Sequence, residues 1–278
     1  MITRILLGLD ATASSTMAAD LAFELAATHG AALEAVAVID TPFITRPMAV
    51  GIGGAAHKVA TETAELRQAH AGASEILERV QAAARARGLA CTTRTEEGDP
   101  PDVLSAAAVA SDLIVLGHDA AFWGKEATAI APAVQGLLAH NPRPVLVAPS
   151  TPLPGSRVLV AFDGSLAASR ALHMAALLGI GTGRHIVVLS IGEAEAEATR
   201  RAEAAAKLLR AHGADVEDVI GMASSADPAD LILAEIRALH AGISVMGAYG
   251  HTGLREVLFG SCTRTLLRAC PTALFVHH

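Results

Sequence analysis

The sequence predicts an α/β protein of two tandem domains, each a five-stranded parallel sheet of order 3-2-1-4-5 with helices on both faces. Three observations predict it. A set of landmarks occurs twice in the same order, short apolar runs alternate with longer stretches of helical period, and a proline-rich joint divides the chain. The strand order follows if strands add outward from the first and the chain then returns to its other side. Strands one and four then become neighbours at a switch point.

The repeat is visible at four places. Ile5-Leu-Leu-Gly-Leu-Asp10 reads like Val158-Leu-Val-Ala-Phe-Asp163, and Asp99-Pro-Pro-Asp-Val-Leu104 reads like Asp227-Pro-Ala-Asp-Leu-Ile232. Leu113-Ile-Val-Leu-Gly117 and Ile243-Ser-Val-Met-Gly247 follow at nearly the same distance, and the endings Pro142-Arg-Pro-Val-Leu-Val147 and Pro271-Thr-Ala-Leu-Phe-Val276 also match. Between them Pro149-Ser-Thr-Pro-Leu-Pro-Gly-Ser156 can continue neither a helix nor a central strand. The boundary falls near residue 152, giving domains 1–150 and 154–278.

In the second half the strands are expected at Val158–Phe162, His185–Ile191, Val216–Ile220, Ile243–Gly247 and Thr272–Val276. Glu193 to His212 places glutamates first and Lys207 and Arg210 last, which suits a helix dipole, and Gly213 follows as a stop. Asp227-Pro228 opens the next helix as cap and first-turn proline, with Ile232, Ile236 and Leu239 on one face. The first half carries extra chain after its second strand. Residues 41–54 are expected to be a loop, followed by a long helix to about Arg87, the whole forming a surface insertion packed across the partner repeat rather than a functional lid. Gly51-Ile-Gly53-Gly54 lacks the strand-to-helix setting of a dinucleotide fingerprint, and Gly179-Ile-Gly-Thr-Gly183 is a helix stop and turn.

Composition narrows the function classes. The 278 residues are 52% hydrophobic and 18% charged, which supplies buried cores and gives no signature of disorder. Aromatic residues are only 3% and the formal charge is −7, so neither base stacking nor a basic stripe for a nucleic acid is expected. The start meets a charge too early for a secretory segment, and no apolar run approaches the roughly 18 residues of a membrane span. Cys91, Cys262 and Cys270 are odd in number and scattered, which excludes a complete disulfide frame and a CxxC metal knuckle. A cytoplasmic protein with no membrane or nucleic-acid partner is the expectation.

The chemistry-bearing segment is Gly247-Ala-Tyr-Gly250-His-Thr-Gly253-Leu-Arg-Glu-Val-Leu-Phe-Gly260-Ser261-Cys-Thr263, leading into a helix with Cys262, Leu266 and Ala269 inward. A glycine-bearing loop leaves a strand, and Gly260-Ser261 opens the helix. Glycine admits a ligand close to the backbone, and the free N–H groups and dipole of a helix start favour an anion. Ser261 and Thr263 add hydroxyl donors, so the segment reads as a phosphate cradle. A plain turn is the competing reading from the loop alone. Placement favours the cradle, because Asp163-Gly-Ser165 and Gly247 open into one crevice at the switch point.

The spacing Gly247-x2-Gly250-x9-Gly260-Ser261 resembles the G-2x-G-9x-G-(S/T) signature of ATP-binding universal stress proteins. Val158-Leu-Val-Ala-Phe-Asp-Gly-Ser165 and Ser244-Val-Met-Gly247 resemble the same family, and the likeness extends over nearly the whole chain as a tandem two-domain member. The resemblance implies a Rossmann-like fold of the adenine nucleotide alpha hydrolase type. It implies that Asp163 lies beside the nucleotide, towards its ribose or a Mg²⁺ ion, and that the backbone around Ser190-Ile191 meets adenine. Gly247, Gly250, His251, Gly260, Ser261, Cys262 and Thr263 would surround the phosphates of ATP, or of ADP or AMP. His251 stands there either as a donor or as an incidental loop histidine, and Tyr249 either shields the site or caps the loop.

The first half departs from this pattern. Ala131-Pro132 stand where the second half has Gly260-Ser261, and Ala120 or Ala121 falls opposite Gly250. Proline supplies no N–H and the hydroxyl is gone; only Gly117 and Asp10 remain. A degenerate half and one nucleotide per chain are therefore expected. Catalytic machinery is not: Gly124-Lys125-Glu126 fails as a Walker A loop, no lysine stands in the cradle, and no base is placed to activate water. The twelve histidines form no HxxxH pair, and His277-His278 read either as native or as tag-derived. The expected function is a stress-response nucleotide sensor that signals to a protein partner. The alternatives are a nucleotide-free dimerisation scaffold and a weak ATPase or autophosphorylating protein. The edge strands Val145–Ala148 and Ala273–Val276 are candidates for an intrachain pseudo-dimer contact; the family resemblance implies that or a homodimer of such chains.

Overall fold

The computed structural model describes residues 1–48, 55–124, 130–151, 155–248 and 260–278. The first repeat runs β1 (Arg4–Leu9), α1 (Ala13–His29), β2 (Ala32–Ile39), α2 (Thr41–Ile44), α3 (Ala55–Ala86), β3 (Cys91–Glu97), α4 (Pro100–Ala107), β4 (Leu113–Gly117), α5 (Pro132–His140) and β5 (Val145–Ala148). The second runs β6 (Arg157–Ala161), α6 (Leu166–Leu178), β7 (Ile186–Gly192), α7 (Glu195–Ala211), β8 (Val216–Ala223), α8 (Pro228–Ala238), β9 (Ala241–Gly247), α9 (Ser261–Ala269) and β10 (Ala273–His277).

The strands form one ten-stranded sheet in the order β3-β2-β1-β4-β5-β10-β9-β6-β7-β8. Each half has the expected 3-2-1-4-5 order, and all pairings within a half are parallel. The halves meet where β5 pairs antiparallel with β10, matching Val145 with Val276, Leu146 with Phe275 and Val147 with Leu274. Two edges that would otherwise offer unpaired backbone groups are thereby used up on each other. The two expected sheets are thus a single one, joined at the anticipated strands.

Local signals account for most boundaries. Asp227 caps α8 by accepting from Ala229 N at 2.8 Å, with Pro228 in the first turn. Glu195 and Glu197 open α7, Arg210 closes it, and Gly213 follows at φ 80°. Gly179 ends α6 in the left-handed region at φ 70°. Packing is dense because the helices turn alanine towards the sheet. Ala198, Ala202, Ala205 and Ala206 of α7 are all buried, as are Ala18, Ala19, Ala22 and Ala26 of α1. Helices α1, α3, α6 and α7 cover one face of the sheet, and α4, α5, α8 and α9 the other.

The first-half insertion departs from expectation. Part of the expected loop is the short helix α2, whose N-cap Asp40 accepts from Phe43 N at 2.9 Å. Residues 49–54, with Gly51-Ile-Gly53-Gly54, lie outside the described residues. The long helix α3 packs on its own repeat, against β2 and β3, rather than across the partner. Its buried residues begin only at Ala69, so a helix of 32 residues, about 48 Å at 1.5 Å per residue, outruns the sheet it covers. The period of the sequence identifies the helix, but its apolar stripe at Ala69, Ala73, Ile76 and Val80 fits the sheet beside it.

His277, at the end of β10, is only 8% exposed. Burial, with the neighbouring His278 and Arg170, holds its pKa down to about 4. A group whose pKa is lower folded than unfolded contributes stability above the unfolded value and loses it as the pH falls. Acidification from about 6.5 towards 4 is therefore expected to weaken the fold, and His277→Gln to flatten that dependence, as measured by urea denaturation at stepped pH.

Candidate functional site

The ends of β6 and β9 and the starts of α6, α8 and α9 enclose a crevice of about 250 Å³. One wall is apolar, built from Ala161, Leu189, Ile191, Ile232 and Met246. The lining also includes Asp163, Gly247, Gly260, Ser261, Cys262 and Thr263, so of the sequence-predicted residues within the described chain all but Ser190 converge here. Gly250 and His251, together with Tyr249, lie outside the described residues.

Asp163 is exposed at the end of β6, and its Oδ1 accepts from Ser165 N at 2.9 Å. That turn starts α6, where Ser165 Oγ accepts from Ala168 N at 3.1 Å. Gly260 is the N-cap of α9 and makes no side-chain cap; the helix's own ladder begins with Arg264 N donating to Gly260 O at 3.0 Å. The N–H groups of Ser261, Cys262 and Thr263 precede that ladder and have no partner inside the helix. They stand at the positive end of its dipole, beside the crevice.

Gly247, which lines the crevice, also has a packing reason to be glycine. A Cβ there would lie 2.4 Å from Ala168 N, so the residue lets β9 pass the first turn of α6. Gly117 does the same in the first repeat, where a Cβ would meet Ser14 Oγ. Ile191 lines the crevice, whereas Ser190 alternates to the other face of β7 with Val188, buried and with its Oγ unpartnered. The Cys262 thiol is pushed up to about 11, first by burial and then by the Asp227 and Asp163 carboxylates. It is a neutral side chain at physiological pH. Among the described residues no group of three His, Cys, Asp or Glu could hold a metal. Among the described lining residues Asp163 is the one carboxylate, which suits Mg²⁺ held through one protein ligand with phosphates and water completing the shell.

Two contributors escaped the sequence reading. Ile232 is recognisable as an inward helix residue, but nothing in its period says that it faces a crevice. Arg201 of α7 reaches across to donate from Nη1 to Asp163 O at 3.0 Å, fixing the turn that presents the carboxylate. No local signal links two residues so far apart in sequence.

The corresponding end of the first repeat is built differently. Asp10, the counterpart of Asp163, is 1% exposed and saturated. Its Oδ1 accepts from Thr12 N at 3.0 Å, from Thr12 Oγ1 and from Ser15 Oγ; its Oδ2 accepts from Ala121 N and Phe122 N. Ala131-Pro132 start α5, and Ala131 is fully buried. A larger cavity of about 670 Å³ lies farther out, between α2, α3 and Trp123, away from the strand ends that carry the motif.

The Universal stress protein family model matches residues 1–149 and again 156–278, so the chain belongs to that family, as a tandem pair. The full-length architecture recurs in a universal stress protein from Archaeoglobus fulgidus DSM 4304, at a TM-score of 0.68 and 20% identity over 99% of this chain and 97% of that one. A functionally unknown protein from Pseudomonas aeruginosa PAO1 superposes at a TM-score of 0.58 and 19% identity, over 99% and 92% of the two chains. No protein of curated function matches the sequence.

Two expectations follow. Gly247→Ala forces β9 and α6 apart and lowers stability by about 1–3 kcal/mol, the usual cost of overpacking, readable in chemical denaturation. Cys262 stays largely unalkylated by iodoacetamide at pH 8 and gains reactivity only as the pH approaches its raised value, read by peptide mass spectrometry.

Proposed function

We propose that this universal stress protein binds one adenine nucleotide per chain in the second-repeat crevice, and that the bound state is a signal rather than a reaction stage. The observation that carries this reading is the juxtaposition of an apolar cleft, the exposed Asp163 carboxylate and the uncapped start of α9. A planar base suits the wall of Leu189, Ile191 and Ile232; a ribose hydroxyl suits Asp163; phosphates suit the free N–H groups of residues 261–263. Asp163 and Asp227 add negative charge beside the phosphates, which favours ATP accompanied by Mg²⁺ over the bare anion. ADP and AMP fit the same elements with fewer phosphates on the helix.

The role is read as binding rather than hydrolysis, with Asp163 holding the ligand rather than activating water. Binding is read as changing a surface offered to a protein partner. No helix among the described residues is long and apolar enough to cross a membrane.

Denaturing purified protein and identifying the released ligand by mass spectrometry, with calorimetric titration by ATP·Mg²⁺, tests the reading. About one adenine nucleotide per chain is expected, with at least a tenfold loss of affinity (about 1.4 kcal/mol) in a folded Gly260→Val variant. No released nucleotide and no heat at millimolar ATP refutes it and leaves a scaffold. Stoichiometric release of ADP and phosphate in turnover refutes the non-enzymatic part.

A further inference from the structure

The first repeat contains the same strand ends as the second, yet they enclose an aromatic ring. Register and repeat alignment make Gly8, Val36, Val38 and Leu104 the counterparts of Ala161, Leu189, Ile191 and Ile232, four residues that line the second-repeat crevice. Phe122, fully buried, belongs to the cluster formed by Val36, Val38 and Leu104. Its Cζ lies 3.3 Å from where a Gly8 Cβ would stand, and Leu104 lies against the same point.

The backbone around the ring is pinned from several directions. Asp40 N, just past the end of β2, donates to Phe122 O at 3.1 Å, and Asp10 Oδ2 accepts from Ala121 N and Phe122 N. Phe122 and Trp123 are both left-handed, at φ 49° and 57°. Two bulky residues in succession persist there only where the surroundings over-determine them. Trp123 packs on α3 at Gly72, where a Cβ would come within 3.0 Å of Nε1, and Gly124 sits against Asp40 with no room for a Cβ.

We infer that Phe122 is the built-in occupant of the first-repeat crevice, an internal stand-in for the planar base that the second repeat is proposed to bind, with Asp10 as its latch. This rests on the nucleotide reading for the identity of the natural base, but not for the occupancy itself. The chain's specificity for one ligand then lies in Phe122 as much as in the missing glycine-serine pair. Removing the ring leaves a dry, apolar, planar slot that takes a small aromatic molecule.

The test uses the full chain carrying Gly260→Val, so that the second crevice is disabled, with and without Phe122→Ala. Phe122→Ala is expected to lower the melting temperature by roughly 10 °C. Millimolar indole or adenine then restores several degrees in that variant and none in its Phe122 parent. Loss of ATP binding by the wild-type chain would leave this rescue untouched, so the two readings fail separately. An unchanged melting temperature, or no rescue by either probe, overturns the inference. Should Phe122→Ala not fold, Asp10→Asn is expected to reduce hydrogen-exchange protection at Ala121 and Phe122 at least tenfold, and unchanged protection there overturns the latch.

Discussion

Three antiparallel residue pairs hold the molecule together as one object: Val145 with Val276, Leu146 with Phe275 and Val147 with Leu274. Every other strand pairing is internal to one repeat. Because β5 and β10 are the last strands of their halves, this seam places the two most buried edges at the centre and leaves β3 and β8 outermost. Phe275, fully buried there, is one of only six phenylalanines. A chain so poor in aromatic residues spends one of them on the join.

The two crevices show how one scaffold supports opposite outcomes. In the second repeat the aspartate is exposed with one backbone donor, and the helix start beyond it is glycine and serine. In the first the aspartate is buried with five donors, and the helix start is alanine and proline. Burying a carboxylate is tolerable only when its lone pairs are met, so the first-repeat turn is closed by its own chemistry. The long insertion occurs only in that repeat, and its helix supplies the surface on which Trp123 rests.

Most of the fold was legible because its signals are local or repeated. The duplication, the aspartate-proline helix openings and the glycine stops need no knowledge of tertiary contact. The helix start at Gly260-Ser261 was legible for the same reason, since a helix start announces itself in sequence. What escaped notice depends on distant contacts. Gly247 lines the crevice and also lets α6 pass close by; Arg201 looks like a surface charge but holds Asp163; Phe122 looks like a stray loop aromatic but is fully buried. The insertion was misplaced because a helical period says which face is apolar but not which surface it meets.

The antiparallel seam has a geometric consequence. Strands of the first repeat run one way across the sheet and those of the second run the other. Their carboxyl ends, and with them the two crevices, therefore open on opposite edges of the slab, separated by strands roughly 16 Å long. Two identical subunits joined in this way would be bound by their twofold symmetry to have matching ends. Fusion into one chain lifts that restriction, and here the ends have diverged into one that is sealed and one that is open. The molecule is polar in the vectorial sense: a neighbour docking on it meets a sealed end or an open end, and the two cannot be interchanged.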